Sequence, residues 1–154
     1  MAASQQIEAL IRELEQSVEA GLTYFQGPGG QARIKVGMWG PREVLCHLAW
    51  WHQATVEGME SVLAGSNPYR FYASVDEMNA RAVGRLAGRD IAELAELVRQ
   101  LQARLVKAAR ALPEPNATVL VTGDGSGRSV LQRLETIARH WSEHVHALQA
   151  PSAA

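Results

Sequence analysis

The chain has 154 residues, 47% of them hydrophobic and 20% charged, with a formal net charge of −1. That length suits one domain able to bury roughly 68–70% of its unfolded surface, so folding needs neither a disulfide nor a structural metal, and the single Cys46 excludes an internal disulfide framework. No segment concentrates Lys or Arg, no apolar stretch reaches the ~18 residues of a membrane span, and Met1 to Gln6 carries no leader pattern; the expectation is a soluble cytoplasmic protein with neither nucleic acid nor membrane as partner.

Helical periodicity dominates. Ile7, Leu10, Ile11, Leu14, Val18 and Leu22 recur at the 3, 4 spacing of a one-sided helix from about Ser4 to Phe25, with Ser4 as N-cap and Gly27-Pro28-Gly29-Gly30 as its end. A second helix starts at Pro41, whose missing N–H suits the first helical position, and runs through Val44, Leu48, Trp51, Thr55, Met59 and Val62 to Gly65. The segment Ser66 to Tyr72 is long enough to cross the end of a bundle. Ser74 with Glu77 forms a capping box opening a third helical region. That region breaks or kinks near Gly88, is recapped by Asp90 with Glu93, and continues through Leu94, Leu97, Val98, Leu101 and Leu105 to about Leu112.

Pro113 and Pro115 end it. Thr118 to Val121 is β-branched but reads as too short to found a sheet, and Gly123-Asp124-Gly125-Ser126-Gly127 reads as a flexible connector. Ser129 with Gln132 again fits a capping box, opening a last helix with Val130, Leu134, Ile137, Ala138, Trp141, Val145 and Leu148 on its stripe. Four such segments predict an all-α four-helix bundle occupying residues 1–150, closed by Pro151, with a short disordered tail at 151–154.

The chemistry gathers on histidines. His140 and His144 are one turn apart and share a helix face. On a projection of about 100° per residue with Leu134 at zero, they fall near 240° and 280°, bordering the apolar stripe, while His146 points well away. His47 borders the stripe of the second helix one turn before Trp51; His52 borders its opposite edge and reads as a hydrogen-bonded core residue. Two imidazoles rarely close a site, whereas a third from a facing helix gives the open three-nitrogen shell of a catalytic transition metal. His47 sits about six residues into its helix, and the pair about six residues before the end of theirs. Their heights agree only if those helices run antiparallel; an up-down-up-down bundle leaves a mismatch of roughly 10 Å. Up-down-down-up, with a long crossover between the second and third helices, brings them level.

The run Trp39-Gly40-Pro41-Arg42-Glu43-Val44-Leu45-Cys46-His47-Leu48 resembles the W-x-P-x-E-V-L-x-H-L entry to the second helix of the DinB/YfiT-like superfamily of metalloenzymes. The family's H-x-x-x-H on the final helix matches His140 and His144, and Asp76-Glu77-Met78-Asn79 matches an acidic-Asn stretch opening the third helix. The resemblance spans about Ile7 to Leu148. It implies the same up-down-down-up bundle, a metal site at His47, His140 and His144, and a homodimer through an isologous two-helix contact.

A site of three neutral imidazoles suits Zn, Ni or Fe as a divalent ion, activating water or a low-molecular-weight thiol for transfer or hydrolysis on a small-molecule substrate. The resemblance implies the thiol route for several relatives and hydrolysis for others. Trp39, Trp51, Tyr69 and Tyr72, with Arg70 beside them, are the candidate substrate contacts. Cys46 reads as a small buried side chain and Glu143 as turned to another face, so no catalytic base is assigned. The rival function is a non-catalytic protective protein that holds a small molecule or metal.

Overall fold

The computed structural model describes residues 2–86 and 88–149; the expected tail at 151–154 and the closing Pro151 lie outside them. The described chain is mostly helical, in the order α1 (Ala2–Gln26), a 3-10 turn (Pro28–Gln31), α2 (Pro41–Leu63), β1 (Tyr69–Arg70), α3 (Val75–Arg85), α4 (Ile91–Ala111), β2 (Thr118–Val121), β3 (Gly127–Ser129) and α5 (Val130–Gln149). Helix α1 begins before Ser4, which is therefore inside the helix and not its N-cap. The other start signals act as expected: Ser74 Oγ accepts from Glu77 N, Asp90 Oδ1 accepts from Glu93 N, and Ser129 and Gln132 satisfy each other's backbone N–H groups. The third helical region is two helices, α3 and α4, broken between Arg85 and Ile91.

Stripe residues form the main core. Ile11, Leu14, Leu22 and Phe25 of α1, Val44 and Leu45 of α2, Leu94, Val98 and Leu105 of α4, and Leu134 and Trp141 of α5 are essentially inaccessible to solvent. Contact order gives the helix directions. Along α2, His47, His52 and Thr55 meet His144, Trp141 and Arg133 of α5, so these two helices are antiparallel. His52 and Glu60 of α2 meet Gln102 and Arg104 of α4 in rising order, a parallel pair. Glu8 and Gln26 of α1 meet Arg110 and Arg99 of α4, an antiparallel pair.

The all-α expectation needs correction. Thr118–Val121 is the central strand of a three-stranded sheet, parallel to β1 (Tyr69 opposite Leu120, Arg70 opposite Val121) and antiparallel to β3. Four residues suffice because Val119, Leu120 and Val121 are buried, so packing stabilises what local pairing alone does not. The glycine-rich connector is a hairpin turn: Thr122 N donates to Ser126 O, Gly125 N donates to Thr122 O, and Asp124 accepts from Ser126 N. Gly125 holds φ +86°, a backbone conformation that costs glycine little. A second apolar cluster lies here, built from Trp50, Trp51, Ala54, Phe71, Ala82 and Leu120.

Candidate metal and substrate site

Three histidine side chains meet at the interface of α2 and α5. Pro41 at the first helical position fixes where α2 begins, which places His47 less than two turns inside it. The Ser129/Gln132 box starts α5, whose apolar stripe docks on α1 and α2 and carries His140 and His144 with it. Ring centroids lie 5.9 Å apart for His47 and His140, 4.9 Å for His47 and His144, and 5.7 Å for His140 and His144. His47 is buried, and the other two are half-buried. The Nδ1 atoms of His47 and His140 are buried without a hydrogen-bond partner. Among the described residues, no group of three or more His, Cys, Asp or Glu side chains is already set around one ion position.

The electrostatics favour neutral imidazoles. Burial pushes His47 down to about 3, helped by His144 and His140 and opposed by hydrogen bonding to Asn79. Burial also lowers His140 to about 4, with His144 and Arg133 adding to it, and it lowers His144. Neutral rings keep the lone pairs that a cation needs.

The aromatic candidates divide. Trp39 lies 5.1 Å from the His47 ring and Trp51 lies 6.4 Å from it, so both flank His47. Tyr69 and Tyr72 do not reach them. They line a cavity of about 730 Å³ together with Trp50, Arg70, Arg81 and Arg85, and none of the three histidines is on its wall.

His52 is the core residue its place on the helix suggests. Its Nε2 lies 2.6 Å from Gln102 Oε1, and its Nδ1 accepts from Trp141 Nε1 at 3.4 Å. An indole N–H only donates, so Nδ1 is the acceptor and Nε2–H donates to Gln102. The Cys46 thiol is fully buried, donates to Leu86 O and is raised in pKa by desolvation, properties of a packed side chain. Glu143 is exposed and pairs with Arg139 on its own helix.

Two residues carry more than the sequence reading gave them. Asn79 of α3 accepts from Trp51 Nε1 at 2.8 Å and also acts on His47. Arg133 is 4% exposed, donates from Nε to Thr55 Oγ1 at 3.1 Å, and lies 5.6 Å from the centre of the Trp51 ring. Its Nη2 has no partner, and desolvation followed by repulsion from Arg128 lowers its pKa to about 10. The helix projection held a signal for it: with Leu134 at zero, Arg133 falls near 260°, between His140 and His144.

The sequence profile of the DinB superfamily matches residues 5–148. The chain belongs to the DinB superfamily. A solved structure titled as the crystal structure of the mycothiol-dependent maleylpyruvate isomerase superposes with a TM-score of 0.74 at 18% sequence identity, covering 97% of this chain and 62% of that one. At that identity the likeness is one of fold, and this DinB chain spans less than two thirds of its neighbour's length. No curated protein matches the chain. Among the described residues, no helix is long and apolar enough to cross a membrane.

Proposed function

We propose that this DinB protein is a metal-dependent enzyme in which His47, His140 and His144 hold a divalent transition ion, Zn, Ni or Fe. The observation that carries this reading is the convergence of three rings from α2 and α5 within 4.9–5.9 Å, with two buried Nδ1 atoms unpartnered. The donor set fits: three neutral imidazoles, half-buried or deeper, suit such an ion. Bound there, the ion would lower the pKa of a water or a low-molecular-weight thiol towards neutrality.

The chain's own residues shape the rest. Trp39 and Trp51 shield one side of His47 from water, and Asn79, whose oxygen accepts from Trp51, acts on the same imidazole. The reaction class is transfer or hydrolysis on a small molecule. The name of the fold neighbour, a thiol-dependent isomerase, supports the thiol branch. The helix directions support α1, α2, α4 and α5 as an up-down-down-up four-helix bundle in one domain, with the α2–β1–α3 segment as crossover. A homodimer through a two-helix contact completes the proposal.

Metal analysis of protein purified without a histidine tag is the first test. Near-stoichiometric metal that is lost in the His140→Ala, His144→Ala double variant supports the site, and no metal under any loading condition rejects it. Turnover of a low-molecular-weight thiol with an electrophile, abolished by a chelator and restored by metal, supports the enzyme. A loaded protein without turnover is a binding or protective protein.

A further inference from the structure

We propose that the cavity between β1 and α3 is an anion-binding site, taking a small organic molecule with carboxylate or phosphate oxygens on an apolar body. The inference goes beyond the histidine centre and stands whether or not those histidines hold a metal. The cavity, of about 730 Å³, has Trp50, Tyr69 and Met78 as its apolar surface and Arg70, Arg81 and Arg85 as its charged one. Met78, Arg81 and Arg85 fall within about 60° of one another on α3, so one helix face delivers all three. Strand β1, held in register by pairing with β2, fixes Tyr69 and Arg70 opposite them.

The charge balance is what points to a ligand. No carboxylate lines the cavity. Among the described residues Arg70, Arg81 and Arg85 have no ion-pair or hydrogen-bond partner, and Glu57, which is not on the wall, acts on Tyr69 with a sign opposite to that of Arg85. Three exposed guanidinium groups around one concavity concentrate positive potential there, which draws anions. Guanidinium groups match carboxylate and phosphate oxygens in paired geometry. The apolar side chains favour a carbon body on the anion: Tyr69 is half-buried, and Trp50, 6% exposed and edge-on to Tyr69 at 6.3 Å, completes the same wall. Trp50 also touches Trp51 at 5.0 Å, and Trp51 flanks His47, so two indole rings separate an occupant on Trp50 from the histidines.

The test is calorimetric titration of the full untagged chain with phthalate, with neutral phthalamide, with phenyl phosphate and with inorganic phosphate. Phthalate or phenyl phosphate is expected to bind, with at least tenfold weaker affinity in the Arg81→Gln, Arg85→Gln double variant and a steep loss with added salt. Whichever of the two binds tighter names the oxyanion. Both arginines are exposed, so the double variant is expected to fold, with far-UV circular dichroism as the check. In the His140→Ala, His144→Ala variant the affinity is expected to stay within twofold, which separates this site from the metal centre. Phthalamide binding as tightly as phthalate, or no change in the arginine variant, overturns the site. Inorganic phosphate binding as tightly as phenyl phosphate overturns the role of the aromatic surface.

Discussion

The His47 ring of α2 lies 4.9 Å from the His144 ring of α5, and Asn79 of α3 connects to the same imidazole while accepting 2.8 Å from Trp51. Helix α3 thus contributes Asn79 to the surroundings of an imidazole carried by α2 and facing α5. Groups that orient a metal-ligating imidazole typically contribute ~10–100-fold to metal affinity. Asn79→Ala is accordingly expected to weaken zinc binding by about that factor in a chelator competition. Asn79→Asp, which keeps an acceptor for both neighbours, should recover most of the loss. Unchanged affinity in the alanine variant would remove Asn79 from the site.

His52 makes stability depend on pH. Its folded pKa is lowered to about 4 by complete burial, against 6.5 when unfolded. Between those values the unfolded chain binds a proton that the folded one refuses, so the stabilisation is full above 6.5 and is lost as pH falls towards 4. The shift corresponds to about 3 kcal/mol. His47 and His140 act in the same direction. Urea denaturation from pH 7 to 4.5 should show stability falling, and His52→Phe should flatten the slope by about one proton. Equal slopes in the two proteins would refute the assignment.

Much of this was legible in the sequence because helices keep angular order. The 3, 4 spacing of Leu134, Ile137 and Trp141 fixed which side of α5 turns inward, and hence where His140 and His144 point. Axial height then required α2 and α5 to be antiparallel, as the His47, His52 and Thr55 contacts are. The sheet was hidden for the opposite reason. Thr118–Val121 derives its stability from Tyr69–Arg70, far away in the chain, and from burial against α2, neither of which leaves a local pattern. Arg133 sits on a stripe's edge, where an arginine usually extends to solvent, and only tertiary packing shows it enclosed.

That enclosure has a measurable cost. Arg133 is 4% exposed, with no carboxylate beside it, and desolvation brings its pKa from 12.5 to about 10. The shift amounts to roughly 3 kcal/mol of unfavourable burial, offset by about 1 kcal/mol each from the bond to Thr55 and the contact with Trp51. Arg133→Met, which fills similar volume without charge, is expected to raise stability by about 1 kcal/mol in guanidinium denaturation. A loss greater than that would mean the guanidinium has an anionic partner in solution.

Gly58 explains how the sheet sits on α2. A Cβ built there would fall 2.0 Å from the Val119 carbonyl oxygen and 3.4 Å from Tyr69 Cβ. The obstacle is backbone, so Gly58→Ala must push β2 away from the helix and disturb its pairing with β1. The expected cost is about 2 kcal/mol or more, with faster hydrogen exchange at the Phe71 N–H that donates to Val121 O. Gly84, inside α3 with nothing within 4 Å of its would-be Cβ, is the control. There alanine should stabilise by roughly 0.5–1 kcal/mol, because a helical glycine costs that much and no contact opposes the added methyl. Equal responses at Gly58 and Gly84 in urea denaturation would mean that β2 does not approach α2 as closely as the Val119 carbonyl requires.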